Sequence, residues 1–375
     1  MTVAKSPASG AQADSARWNP SSWGKPGVVA YCGRGEIDPT TKADMAAGGI
    51  EPVVSPLVDE NGKVPDVVAD ADMVILAGQG GSPEIFDQFR RVRFVLRPYV
   101  GFDDIDVDAL SERGILVANI PDTFIQEVAD QALMLILACV RRTREMDALV
   151  RSGEWAGGAP ARQRARPMRR LSTMTLGLVG LGNIARMVAD RARPFGFTII
   201  SHDPFIPADV AKQAGVTLVS MDELLAQSDI LSVHTFLAKS TRGLIGRDKI
   251  AKMKKGAYFV NTARGSIVDE QALIEALQSG HLAGAGLDVM EVEPLPADSP
   301  LNSMENVTLA PHLASYSDEG VHLHNKRVAK VVLDVANAKL PERKIVINKA
   351  VYDEVTARPE MAKAEKASDW QPPAM

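Results

Sequence analysis

The sequence is nearly devoid of cysteine, with only Cys32 and Cys139 among 375 residues. Two thiols so far apart exclude a disulfide framework and a metal knuckle, so no metal site is expected. No apolar run reaches the roughly 18 residues that a membrane span needs. The opening MTVAKSPASGAQADSARW also lacks the apolar centre of a secretion signal. The expectation is therefore a cytoplasmic protein without a membrane partner, carrying a loose polar arm over residues 1–26. Neither sign of charge dominates, and a net charge of −5 gives no global reason to expect nucleic acid. The local exception, ARQRARPMRR at 161–170, reads as a solvated loop. What remains is ordinary globular composition, 46% hydrophobic and 24% charged, over a length that suits two domains better than one core.

Apolar runs alternate with helical stretches in two series. The first series places strands at 28–31, 73–76, 92–96 and 115–118, with helices such as 82–89 and 107–113 between them. That alternation predicts a parallel sheet covered by helices. A long apolar helix, 123–150, follows. The second series places six strands at 176–179, 198–201, 217–219, 230–234, 257–261 and 283–288, the count of a doubly wound dinucleotide domain. A last helix over 318–338 precedes a strand-like KIVIN and a polar tail. The fold class expected is α/β, with two doubly wound domains and parallel sheets.

The stretch Gly180-Leu-Gly182-Asn-Ile-Ala185 sits between a predicted strand and a helix predicted over 184–193. Gly180 permits the tight turn, Gly182 lets a pyrophosphate approach the backbone, and Ala185 takes the third, helix-packing position. The amides near Asn183 and Ile184 then face phosphate at a helix N-terminus. Asp203 stands 21 positions after Gly182, at the end of the next strand. A carboxylate there accepts hydrogen bonds from an adenine ribose and repels a 2′-phosphate, so NAD(H) is favoured over NADP(H).

Hydride transfer to an oxo acid also needs a cation for the carboxylate, a proton donor and a group to tune that donor. NTARGSIVDE supplies Arg264 just past a strand, where open α/β sheets bind ligands; Asp269 reads as a helix N-cap instead. GLDVMEVEPL and APHLASYS supply Glu293 and His312, and a carboxylate near an imidazole favours its protonated form. His234, Thr262 and Ala263, also at strand ends, complete the candidate cofactor set.

These motifs, VGLGNIA, SHDP, VNTARGSIVDE, GAGLDVMEVEP and APH, resemble the D-isomer-specific 2-hydroxyacid dehydrogenase family over about residues 28–348. Within it, RPYVGFDDID, NTARG, PH…YS and INKAV are most similar to the C-terminal-binding-protein branch, which comprises NAD(H)-binding corepressors and bacterial enzyme relatives. The resemblance implies a Rossmann dinucleotide-binding domain, 125–318, inserted into a split flavodoxin-like substrate-binding domain, 27–124 and 319–350, with a polar tail over 351–375. That is why the glycine loop comes so late. It also implies a homodimer formed through the Rossmann domain and the long helix. Residue by residue, it assigns Arg264 to the substrate, His312 to acid/base work and Glu293 to His312. Glu291 is the rival carboxylate, but the family's Glu directly precedes the proline, here Pro294. Asp288 matches the residue that holds the nicotinamide carboxamide, and Val100 and Gly101 match the loop whose amides receive the substrate carboxylate. Arg97 matches an arginine that reaches the same carboxylate. Two departures bear on the substrate: Tyr99 stands where glycine is frequent, and Ser315 stands where the corepressor branch has tryptophan.

The function expected is an NAD-dependent D-2-hydroxyacid dehydrogenase, working as a 2-oxoacid reductase on a small 2-oxo or 2-hydroxy acid. Formate dehydrogenation is set aside, because formate has no carbonyl to protonate and that branch carries Gln at the place of Glu293. Phosphoglycerate dehydrogenation and glyoxylate or hydroxypyruvate reduction stay open. The alternative outside the class is an NAD(H)-sensing dimeric binding protein of corepressor type with weak or no turnover.

Overall fold

The computed structural model describes residues 27–33, 35–78, 80–155, 162–163, 165–361 and 364–370. The expected arm, 1–26, lies outside them, as do residues 161 and 164 of the basic stretch. The chain divides into two compact units, Met1–Thr123 with Asp318–Met375, and Phe124–Ser317.

In the first unit, β1 (Val29–Cys32), β2 (Val53–Val54), β3 (Met73–Leu76), β4 (Phe94–Leu96) and β5 (Leu116–Ala118) form one parallel sheet in the order β2-β1-β3-β4-β5. This is the flavodoxin-like order. Side chains alternate across it: Met73 and Ile75 enter one core, Val74 and Leu76 the other. Both faces are buried, which explains why these strands read as unbroken apolar runs. Strand β2 is missing from the sequence reading because two exposed valines at a sheet edge make no such run.

The first core is completed by the far end of the chain. Val328, Val331, Val332 and Val335 of the helix Asp318–Ala336 pack into it. KIVIN is not a strand: Arg343–Ile345 forms a 3-10 turn with a single bridge, Ala118 to Val346. The side chain of Asn348 accepts from Val117 N (2.9 Å) and donates to Ile115 O (2.8 Å), taking the ladder positions that a longer strand would fill. The polar tail expected from residue 351 begins instead as part of a helix, Lys349–Thr356. Val351, Tyr352 and Val355 share one helical face and are buried there, and Met361 joins them. Farther on, Leu340 exchanges backbone hydrogen bonds with Glu365 and Ala367. Arg327, fully buried, pairs with Asp122 (2.9 Å) and Glu342 (2.6 Å) and lies 5.2 Å from the Trp370 ring centroid.

In the second unit, β6 (Thr175–Val179), β7 (Thr198–His202), β8 (Thr217–Leu218), β9 (Ile230–Val233), β10 (Ala257–Asn261), β11 (Leu282–Leu287) and β12 (Val307–Leu309) form a parallel sheet ordered β12-β11-β10-β9-β6-β7-β8. Six of these follow the doubly wound dinucleotide order. The seventh, β12, escaped the sequence reading because three residues after a polar turn carry too little pattern. The order reverses between β6 and β9, which opens a crevice at their carboxyl ends. The single long helix expected over 123–150 is two, Ile125–Val140 and Thr143–Arg151, separated by Arg142 at φ 52°. The apolar run ALMLILACV stops at Arg141, so the buried face has no continuation there. Among the described residues, no helix is long and apolar enough to cross a membrane.

Candidate active site

The glycine turn sits at the β6 end of that crevice. Gly180 has φ 90°, a conformation that disfavours any side chain. A Cβ on Gly182 would meet nothing within 4 Å, so open space lies over the N-cap of helix Asn183–Ala192. That empty cradle, with helix amides at its base, fits a pyrophosphate. Asp203 borders it: Oδ2 accepts from Leu181 N (2.8 Å) and Oδ1 from Phe205 N (2.9 Å). Each oxygen keeps a second lone pair for a ribose hydroxyl.

Across the switch point, His234 lies 2.9 Å through Nε2 from Ser232 Oγ. Burial pushes its pKa down to about 4, so it is neutral near pH 7 and is no proton donor there. Thr262 is buried at the end of β10, and its Oγ1 has no hydrogen-bond partner among the described residues. An orphaned buried hydroxyl is costly unless a ligand completes it, which suits the assigned cofactor site.

The turn after β10 is built by Asn261. Its Oδ1 accepts from Ala263 N and its Nδ2 donates to Arg264 O, both at 2.9 Å, and together they fix the backbone that carries Arg264. The next residue, Gly265, is in close contact with the Glu293 loop: a Cβ there would lie 1.9 Å from Met290 O.

Asp288, at the end of β11, organises the histidine loop. It is fully buried, and its two oxygens accept from Leu313 N (3.2 Å) and Ala314 N (3.1 Å), while its carbonyl accepts from His312 N (2.8 Å). Gln131 Nε2 also reaches its carboxylate (3.4 Å). These bonds hold His312 at φ 54°, a strained conformation for a residue with a side chain. The reward is placement: His312 Nδ1 lies 2.6 Å from Glu293 Oε2, and Glu293 Oε1 accepts from Met290 N (3.0 Å). Glu291 is not in this pair; its backbone N–H donates to Glu270 instead. Ser315, half-buried, follows in the same loop.

The first unit, by itself, holds the other predicted site residues in the loop after β4. Asn119 Nδ2 donates to Val100 O (2.7 Å), Ile120 N to Tyr99 O (3.3 Å) and Arg97 Nε to Gly101 O (3.2 Å). With those carbonyls held, the Val100 and Gly101 amides have no acceptor among the described residues. Paired free amides of this kind form an anion-binding nest. Arg97 does not point a free guanidinium at a ligand. Its other donors go to Leu76 O (3.1 Å), Gly78 O (2.8 Å) and Asp104 (2.9 Å). Tyr99 is held on three sides, its hydroxyl donating to Ala77 O (3.3 Å), its ring parallel to His324 and the Arg97 guanidinium 5.4 Å from its centre.

Sequence reasoning missed Asn119, Gly265, Glu270 and Gln131. Asn261, Gly265 and Glu270 lie inside a recognised motif, but their roles depend on contacts that spacing does not reveal.

Residues 133–314 match the family described as D-isomer specific 2-hydroxyacid dehydrogenase, NAD binding domain. A glyoxylate reductase of Korarchaeum cryptofilum is 39% identical over 279 residues, covering 73% of this chain and 82% of the relative. A D-3-phosphoglycerate dehydrogenase of Methanocaldococcus jannaschii is 39% identical over 277 residues, 73% of this chain, which spans only 52% of that relative's length. Among solved structures, the D-lactate dehydrogenase of Aquifex aeolicus complexed with NAD and lactic acid is similar with a TM-score of 0.71 and 29% identity, over 82% of this chain and 95% of that one.

Proposed function

The chain belongs to the D-isomer specific 2-hydroxyacid dehydrogenase family and is an NAD-dependent oxidoreductase, and from that premise we propose that it reduces a short 2-oxo acid with His312 as proton donor. The observation that carries this reading is the 2.6 Å contact between His312 Nδ1 and Glu293 Oε2. With the Nδ1 proton directed to Glu293, protonated His312 holds its second proton on Nε2, available to the carbonyl oxygen. NADH, when bound, supplies the hydride that adds to C2.

The chain's own residues do the rest. Arg264 holds the carboxylate and polarises the carbonyl, and the family resemblance assigns the Val100 and Gly101 amides to the carboxylate as well. Arg97 steadies that loop by holding Gly101 O and tying it to Leu76 O and Gly78 O. His312 gives its Nε2 proton to the new alkoxide and recovers one from solvent. Asp203 selects NADH, since a 2′-phosphate beside a carboxylate is repelled. Tyr99, tied to Ala77 O, favours glyoxylate- or pyruvate-sized acids, in keeping with the glyoxylate reductase likeness.

The test is a panel of 2-oxo acids of increasing side-chain size with NADH or NADPH, following cofactor absorbance, with His312→Ala alongside. Expected are fastest turnover of the shortest acids with NADH and a loss of about 10³-fold in His312→Ala. A variant that keeps wild-type turnover removes His312 as the donor, and preference for the bulkiest acids removes Tyr99 as a wall.

A further inference from the structure

The segment carrying Arg264 and the segment carrying Glu293 meet at one peptide. Gly265 lies flat against the Met290–Glu291 peptide: a Cβ there would sit 1.9 Å from Met290 O and 2.4 Å from Glu291 N. The N–H of that same peptide, from Glu291, donates to Glu270 Oε2 at 2.9 Å. One residue earlier, Met290 N donates to Glu293 Oε1 (3.0 Å), and the other Glu293 oxygen meets His312.

Glu270 is the first residue of helix Glu270–Gln278, but it is not needed as the cap. Asp269 performs that task, its carboxylate accepting from Ala272 N at 2.9 Å. The Glu270 side chain instead reaches across to the Glu293 turn. We propose that Glu270 is a positioning residue for the reaction. By holding the Glu291 amide it fixes the Met290–Glu293 turn, and through Glu293 it aims the His312 imidazole. Gly265 lets the Arg264 segment close on the same peptide, so the carboxylate-binding cation and the proton donor are set from one point. The inference rests on the reading of His312 as the proton donor.

Glu270→Ala removes the acceptor, whereas Glu270→Gln keeps an oxygen that can accept from Glu291 N. The expected result is a fall in kcat of about tenfold in Glu270→Ala, with the KM for NADH changed by less than about twofold. Glu270→Gln restores most of kcat. A second readout needs no turnover: the His312 Nδ1 proton shared with Glu293 gives a far-downfield NMR resonance, assigned by its loss in His312→Ala. That resonance weakens in Glu270→Ala and persists in Glu270→Gln. Wild-type kcat with an unaltered resonance in Glu270→Ala overturns the proposal. If the unmodified protein reduces no 2-oxo acid, the proposed activity falls, while the resonance still decides whether Glu270 aims His312.

Discussion

The loop after β4 and the loops after β10, β11 and β12 use opposite parts of the chain. In the first unit, side chains point inward to hold carbonyls, and the groups left outward are backbone amides at Val100 and Gly101. In the second, side chains of Asn261, Asp288 and Glu270 hold backbone groups, and the groups proposed for the chemistry are the side chains of Arg264, Glu293 and His312. One unit thus presents backbone amides, which are blind to residue type, while the other presents side chains, which are not. In both, buried or half-buried polar side chains build the scaffold, and hydrogen bonds to the backbone offset their burial.

The contrast is most exposed at Gly265. Gly265→Ala drives a methyl group into the Met290–Glu291 peptide, so the Arg264 and Glu293 segments must part. A loss of about 10²-fold in kcat/KM is expected from displacements near 1 Å, with NADH binding retained in a fluorescence titration. Unchanged kcat/KM would mean that the two segments need not stay in register.

Arg97 tests the other unit. If it serves by holding carbonyls, Arg97→Met raises the KM for the oxo acid about tenfold and leaves NADH affinity alone. Arg97→Lys then fails similarly, because one ammonium cannot replace a planar fork bonded to three carbonyls and Asp104. Substantial rescue by lysine would point to a direct charge contact with substrate instead.

The smallest effect concerns acid stability, where the units behave alike. Burial lowers the pKa of His324 in the first unit and His234 in the second to about 4, from an ordinary 6.5. Between those values the unfolded chain binds protons that the folded chain refuses. Stability is therefore full above pH 6.5 and falls as pH drops towards 4, by up to about 1.4 kcal/mol per pH unit for each site. Urea midpoints from neutral pH down to pH 4 should fall less steeply in His324→Gln and His234→Gln; equal slopes in all three proteins contradict this.

The candidate site of the second unit was legible in the sequence because the groups proposed for it are distinctive side chains, each near a strand end in a recognisable motif. The first-unit loop was legible only through resemblance, since free amides leave no trace in residue type. Arg97 shows the limit: residue type invites a role as substrate ligand, and only the structure shows the four acceptors its guanidinium already has. Of the fold, the buried parallel strands were clear. Edge pieces such as Val53–Val54 and Val307–Leu309 were too short to register. The tail hid its buried face within a polar composition, because Val351, Tyr352 and Val355 make a pattern only once helical.

The split of the first unit also orders events in time. Its core needs Val328 to Val335 and then Val351, Tyr352, Val355 and Met361, which leave the ribosome after the whole of the second unit. The second unit is one uninterrupted stretch, Phe124–Ser317, and has every residue it needs before the first unit does. During synthesis the dinucleotide domain can therefore mature while the earlier-made strands β1 to β5 wait with one sheet face covered only in part, by Met45 and its neighbours. The first unit is thus begun before the second and can be completed only after it.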